Sequence, residues 1–410
     1  MPSLRLLKVL LAIGTIVTVL HLLLSPNLPR GYQAGVPPES PRYVYHHYTT
    51  ANHYPNAADG AGQTPNATAN HAPIEAALAL PPLASTPGPV KACFVILVRN
   101  RELFALRASI RQLEDRFNHK YHYPYVFLND EPFTDEFMRY ITRFTSGNAT
   151  FGVVPTEHWS YPPWIDQQKA IIARIKMGNV IYGSSESYRH MCRFNSGFFY
   201  HHPLLAEYEY YWRVEPGVDF TCDIDYDPFV YMKQRDLTYG FTISMKEIAE
   251  TVPTLWETTR QFMRARPGLV DPKRNTLGWV TDQSLETYNL CHFWSNFEIA
   301  RLDFFRSEKY QAYFDYLDRA GGFFYERWGD APVHSLAAAM FLPREKIHWF
   351  DDIGYVHQKI ENCPMDSDVN YGKCTCNPMS NFYLLMPSCT REFKALDADA
   401  SLDISGLLKS

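Results

Sequence analysis

The chain has 410 residues, 46% of them hydrophobic, enough for one large domain or two small ones with a sizeable core. Its formal net charge of -5 leaves no basic footprint, which argues against nucleic acid as a partner and leaves any anionic ligand to a local cluster or a metal. Aromatics make up 15%, a content that fits sugar-binding clefts, where ring faces pack on pyranose C–H faces, and equally a tyrosine-rich core.

In chain order, the first element is an apolar run over residues 9–24, broken by Thr15, Thr18 and His21 and preceded by Arg5 and Lys8. A run of this length just crosses a thin bilayer as a helix, and basic residues ahead of it predict a cytosolic tail at 1–8 and a lumenal remainder. A cleaved signal peptide would need a small-x-small site soon after the run, where the chain instead reads Ser25-Pro26-Asn27-Leu28-Pro29-Arg30. Residues 25–90 are rich in Pro, Ala, Asn, Gly and Thr without helical or strand period, and read as a flexible stem. Asn66-Ala67-Thr68 and Asn148-Ala149-Thr150 are glycosylation sequons, which together with the anchor favour a secretory lumen. All 8 cysteines follow the stem, and Cys363, Cys374, Cys376 and Cys389 crowd the C-terminal region. In an oxidising lumen these predict disulfides stapling a loop-rich tail; the spacing is not that of a Cys-x-x-Cys zinc knuckle and does not assign the pairs.

Order is expected over 91–395, followed by a tail at 396–410. Residues 92–98 form a continuous apolar run typical of a buried parallel strand, with Arg99-Asn100-Arg101 directly after it and helical spacing from 103 to 117. A second strand over 125–130 precedes another helical stretch at 134–144. Alternating strands and helices predict an α/β fold with a Rossmann-like sheet, whose ligands sit at the carboxyl ends of strands, where Arg99, Asn100 and Asn129 fall. No Gly-x-Gly-x-x-Gly follows the first strand, which disfavours a dinucleotide oxidoreductase. Residues 208–214 read as a further strand, 238–243 as a short one, and 253–264, 304–320 and the stretch after Pro332 as helices.

Three constellations carry chemistry. The strand at 208–214 runs into Glu215-Pro216-Gly217-Val218-Asp219, an acidic turn of the kind that metal-dependent sugar transferases use to bridge an oxygen-ligated cation to a diphosphate; such a turn is also commonly a solvated loop. Asp330 and His334 lie in one downstream segment and His357 in another, where imidazole beside carboxylate suits Mn2+; Asp330 also reads as a helix N-cap with Pro332 in the first turn. Glu298, between apolar neighbours, is either a buried nucleophile or the partner of Arg301 or Arg306.

At these residues the sequence resembles the fungal Golgi α-1,2-mannosyltransferases of glycosyltransferase family 15. The resemblance runs from about residue 91 to residue 389 and rests on long motifs: Phe127-Leu128-Asn129-Asp130-Glu131-Pro132-Phe133, Tyr188-Arg189-His190-Met191-Cys192-Arg193-Phe194, Tyr211-Trp212-Arg213-Val214-Glu215-Pro216, Tyr325-Glu326-Arg327-Trp328-Gly329-Asp330-Ala331-Pro332-Val333-His334 and Phe350-Asp351-Asp352-Ile353-Gly354. It implies a GT-A fold, GDP-mannose as donor, Mn2+ as metal, a mannosylated glycoprotein as acceptor and retention of the α configuration. Position by position, Glu215 and His357 look like the metal pair, with Asp219 as a third ligand. Tyr188 looks like the donor-pocket tyrosine, Arg99 and Asp330 like donor-binding residues, and Glu298 like the carboxylate proposed as nucleophile; His334 is assigned to support. The setting implied is a single-pass type II protein of the Golgi membrane with its catalytic domain in the lumen.

Retention allows double displacement through Glu298 or front-face attack assisted by the departing phosphate, and the sequence does not decide between them. The rivals are a non-catalytic or mannosylphosphate-transfer-related Golgi partner and a glycoside hydrolase. The first would be expected to lose Glu215, Glu298 or His357, all of which are present. The second would need paired carboxylates and no nucleotide site.

Overall fold

The structure is a computed structural model that describes residues 90–396 and 401–409. The expected anchor at 9–24, most of the stem and the Asn66 sequon lie outside these residues. Among the described residues no helix is long and apolar enough to cross a membrane.

The chain alternates between strands and helices as the apolar patterning predicts. The first half comprises β1 (Ala92–Leu97), α1 (Leu103–Leu113), β2 (Tyr125–Asn129), α2 (Asp135–Thr142), β3 (Ala149–Val153), α3 (Gln167–Lys176), α4 (Glu186–Gly197), β4 (Tyr210–Arg213) and β5 (Val218–Phe220). After α5 (Pro228–Gln234) come β6 (Tyr239–Phe241), β7 (Ser244–Lys246), α6 (Leu255–Ala265), β8 (Cys291–Phe293) and β9 (Glu298–Arg301). The chain continues through α7 (Glu308–Ala320), α8 (Asp330–Phe341), β10 (Ile347–Trp349), β11 (Tyr355–His357) and β12 (Ile360–Asn362). The helix expected over 304–320 is divided at Ser307, whose hydroxyl caps α7 by accepting from the Tyr310 amide at 3.4 Å; a separate short turn, Leu302–Arg306, precedes it.

Seven strands form the central sheet in the order β10-β6-β9-β4-β1-β2-β3, and of these β9 alone runs antiparallel to its neighbours. The order passes outward from β1 through β2 to β3 and then returns to place β4 on the other flank of β1. The reversal leaves a crevice at the carboxyl ends of β1 and β4, the position where open α/β sheets bind ligands.

β1 shows why its run is continuously apolar. Phe94 and Ile96 pack on one face of the sheet with Leu106, Ile110 and Leu113 of α1, whereas Cys93 and Val95 join the core on the other face with α4 and α8. That second face is held by charge as well as by packing. Arg193 of α4 grips Asp318 of α7 through two bonds of 2.7 and 2.8 Å, both groups being buried. α8 is buried along nearly its whole length, which explains an apolar pattern without a polar stripe.

β5, β11 and β12 make a small antiparallel sheet that carries the acidic turn on one side and His357 on the other. Three disulfides form. Cys363–Cys376 closes a loop within the C-terminal region, while Cys222–Cys374 and Cys291–Cys389 fasten that region to the segments at β5 and β8. Cys93 and Cys192 remain buried thiols. The C-terminal tail docks on the domain: Ile404 is fully buried, and Asn275 donates to the Leu402 carbonyl at 2.9 Å.

Candidate active site

Two arms approach each other across the crevice. On the first, Arg99 lies just past the end of β1, and its guanidinium donates to the Ser187 hydroxyl in the first turn of α4. Ser185 caps that helix by accepting from the Tyr188 amide at 3.2 Å, which fixes where Tyr188 emerges. The Tyr188 ring stacks on Tyr182 with centroids 4.6 Å apart, and its hydroxyl accepts from Arg327 at 3.3 Å. Burial pushes the Tyr188 phenol well above its usual range, so it stays a neutral donor. Arg327 is itself buried and reaches Glu247 at 3.4 Å.

On the second arm, Arg213 closes β4 and holds two carboxylates, Glu215 Oε1 and Asp330 Oδ2, each at 2.5 Å. Burial opposes the Arg213 charge, but the two carboxylates outweigh it and hold the guanidinium ionised. Asp330 also accepts from Ser295 at 2.8 Å. Burial would raise its carboxyl pKa, and Arg213 pulls it below the usual range instead. The capping position of α8 belongs to Gly329, so the Asp330 side chain is free for this buried pairing and the helix-cap alternative falls away.

Glu215 and His357 meet. His357 Nε2 lies 4.0 Å from Glu215 Oε2, because β5 pairs antiparallel with β11 and sets His357 opposite Val218, just beyond the acidic turn. His357 Nδ1 is buried without a hydrogen-bond partner among the described residues. Gln358, the next residue, contacts the Tyr182 hydroxyl at 3.5 Å and so closes the gap between the arms. The donor set fits a divalent cation: one carboxylate and one imidazole stand at a spacing a single ion can span, given ligand distances of about 2.0–2.6 Å.

Asp219 does not join them, which corrects its assignment as a third ligand. It pairs with Val356, not His357, so it points to the opposite face of the small sheet, where it is exposed and accepts from Gln112 at 2.7 Å. Glu298 is completely buried, and neither expected arginine is its partner: Arg301 pairs with Asp236 and Asp303, and Arg306 bonds main-chain carbonyls. Its carboxylate instead accepts from Tyr211, Tyr239 and His334. Asn100 ties the two strand ends together, donating to the Pro132 carbonyl at 3.0 Å and accepting from the Thr134 amide at 3.0 Å.

A family model described as glycolipid 2-alpha-mannosyltransferase matches residues 51–398. The chain belongs to this mannosyltransferase family. It is 56% identical over 311 residues to glycolipid 2-alpha-mannosyltransferase 1 of Candida albicans, covering 75% of this chain and 72% of the relative. It is 57% identical over 306 residues to an alpha-1,2 mannosyltransferase of Saccharomyces cerevisiae, covering 74% of this chain and 78% of the relative. Among solved structures it is similar to core-mannan synthase A of Aspergillus fumigatus in its Mn/GDP form, with TM-score 0.71 and 44% identity over 78% of this chain and 88% of that one. The chain is therefore an enzyme, a glycosyltransferase, as the resemblance implied.

Family membership leaves individual residue roles to geometry, and three residues central to that geometry carried no assignment from sequence. Arg213 and Arg327 each stand inside a quoted motif, yet an arginine in a motif gives no hint of which carboxylate it will meet. Glu247 follows β7 in a stretch with no motif and is brought to Arg327 by the fold alone.

Proposed function

We propose that this enzyme, of GT-A type, transfers mannose with retention of configuration from GDP-mannose to the 2-hydroxyl of a terminal mannose on O- or N-linked glycans of glycoproteins. The observation that carries the reading is the Glu215–His357 pair at the end of β4, facing the Arg99–Tyr188 arm across a switch-point crevice. Glu215 and His357 would hold Mn2+, which supplies positive charge against the diphosphate as it leaves.

The remaining chemistry belongs to the chain. Arg99 offers charge to the diphosphate from the end of β1, and Tyr188 offers a neutral hydroxyl to the donor. Arg213, fixed by Asp330, holds the Glu215 carboxylate in place so that little reorganisation accompanies bond breaking. In the transfer, the bond from the mannosyl anomeric carbon to the phosphate oxygen breaks and a bond to the acceptor oxygen forms. The acceptor hydroxyl proton leaves with GDP. The motifs support a Golgi setting with residues 9–24 as the membrane anchor.

Purified full-length protein, incubated with GDP-mannose, Mn2+ and α-methyl mannoside, should yield an α-1,2-linked dimannoside by linkage analysis. Chelation with EDTA should abolish the product and Mn2+ restore it. Activity insensitive to EDTA would overturn the metal assignment, and no transfer to any mannoside would overturn the reading. In sealed microsomes the catalytic unit should resist added protease until detergent is present; digestion without detergent would overturn the lumenal orientation.

A further inference from the structure

Glu298 opens β9 directly across the ladder from Arg213. Three donors converge on its two oxygens: the Tyr211 hydroxyl on Oε1, the Tyr239 hydroxyl on Oε2 at 2.6 Å, and His334 Nδ1 on Oε2 at 3.1 Å. His334 is as deeply buried as Glu298, and its other ring nitrogen lies 3.0 Å from the Asn195 carbonyl oxygen.

A main-chain carbonyl only accepts, so Nε2 carries a hydrogen. Asn195 stands in the last turn of α4, which has no basic residue of its own. The Nε2–H therefore serves a helix-end carbonyl, and a cation there complements the helix dipole. Nδ1 faces a carboxylate that already accepts two phenol hydrogens. This arrangement calls for a hydrogen on both ring nitrogens.

We propose that His334 is a doubly protonated positioning residue. Through Glu298, across the ladder from Arg213, it balances the charge of the residue that holds Glu215 and Asp330, and it takes Glu298 out of contention as the nucleophile. The inference rests on the mannosyl-transfer reading and deepens it. A nucleophile needs an open lone pair aimed at the anomeric carbon; Glu298 has no exposed surface and three donors around its oxygens. Front-face transfer, with the acceptor proton leaving on the phosphate, then remains.

The charges agree with this role. Glu215, Asp330 and Glu298 oppose Arg213 and His334, leaving the cluster one negative charge before any cation binds. The groups facing the pair are Tyr211 and Arg213 from β4, Tyr239 from β6, Tyr310 from α7 and Asp330 from α8; α4 adds the Asn195 carbonyl. Burial disfavours the charged form of each partner, but their mutual attraction prevails, raising His334 and lowering Glu298.

Three measurements test it on the full chain. The ring nitrogens of His334, followed by 15N NMR and assigned by their loss in His334→Gln, should both stay protonated as pH rises past the ordinary imidazole value of about 6.5; a neutral tautomer there would overturn the proposal. His334→Gln should lose about 10- to 100-fold in kcat near neutral pH with KM for GDP-mannose little changed, and recover as rising pH ionises Glu298. A loss uniform across pH would mean a merely structural role and overturn it. Glu298→Ala supplied with azide should form no β-mannosyl azide; its appearance would identify Glu298 as the nucleophile. Should His334→Gln fail to fold, the wild-type chain with its histidines 15N-labelled one region at a time and the azide experiment still decide. If wild type transfers no mannose, the functional reading fails while the NMR result still judges His334.

Discussion

Arg213 shows how much a single side chain decides. It holds two carboxylates that no other arginine or lysine among the described residues pairs with, one from the acidic turn and one from the start of α8. Removing it leaves those carboxylates unpaired in a largely buried site, so Arg213→Ala should cost about 3–5 kcal/mol by chemical denaturation, well beyond a surface ion pair. On the proposed metal site, His357 and Asp219 should part company, although both belong to the same small sheet. His357→Ala should weaken Mn2+ binding by roughly 100-fold or more in calorimetry, while Asp219→Asn should leave it unchanged. Equal losses in the two variants would refute the face assignment. Gly217, between Glu215 and β5, has a φ of +80, and an added Cβ would meet nothing within 4 Å. The penalty for Gly217→Ala is therefore backbone strain alone, about 1–2 kcal/mol, readable as a lowered thermal midpoint.

At the level of elements, the β11–β12 hairpin carries His357 on its last paired residue before the turn. Gln358 and Lys359 make a two-residue connection with φ of 48 and 69, the left-handed pair that hairpin twist demands and that Asn-Gly fills best. Neither residue is suited to it. Lys359→Gly should relieve that strain and stabilise the protein by about 0.5–1 kcal/mol, whereas a destabilisation would show that the lysine side chain makes a compensating contact. The Cys291–Cys389 bridge spans 98 residues and fastens the C-terminal region to β8. Replacing both cysteines with alanine should cost about 2–5 kcal/mol in urea unfolding.

For the molecule as a whole, the buried Glu298–His334 pair sets a pH dependence. Glu298 is held below its unfolded value of about 4.3, so its contribution is present above that pH and lost as pH falls through the folded value. His334 is held above its unfolded value of about 6.5, so its contribution is complete below that pH and lost as pH rises through the folded value. Stability from the pair is therefore greatest between these two values. Unfolding midpoints should decline on the alkaline side, and the decline should shrink in His334→Gln. Ligand linkage acts on the same folded state: GDP at 100 times its dissociation constant should add about 2.7 kcal/mol, and only when Mn2+ is present.

The sequence by itself determined what is local. The continuous apolar run of β1 and the alternation of strands and helices announced an α/β fold, because hydrophobic period is written in neighbouring residues, and the long motifs marked a glycosyltransferase by resemblance to a family. The match of Glu215 to His357 was available only through resemblance to a family. Tertiary structure alone decided what depends on pairing across the chain. The register of β5 against β11 turned Asp219 away from His357, since a pleated strand sends neighbouring side chains to opposite faces. The meeting of β4, β6, β9 and α8 surrounded Glu298 with Tyr211, Tyr239 and His334, partners from three other elements that no spacing rule connects.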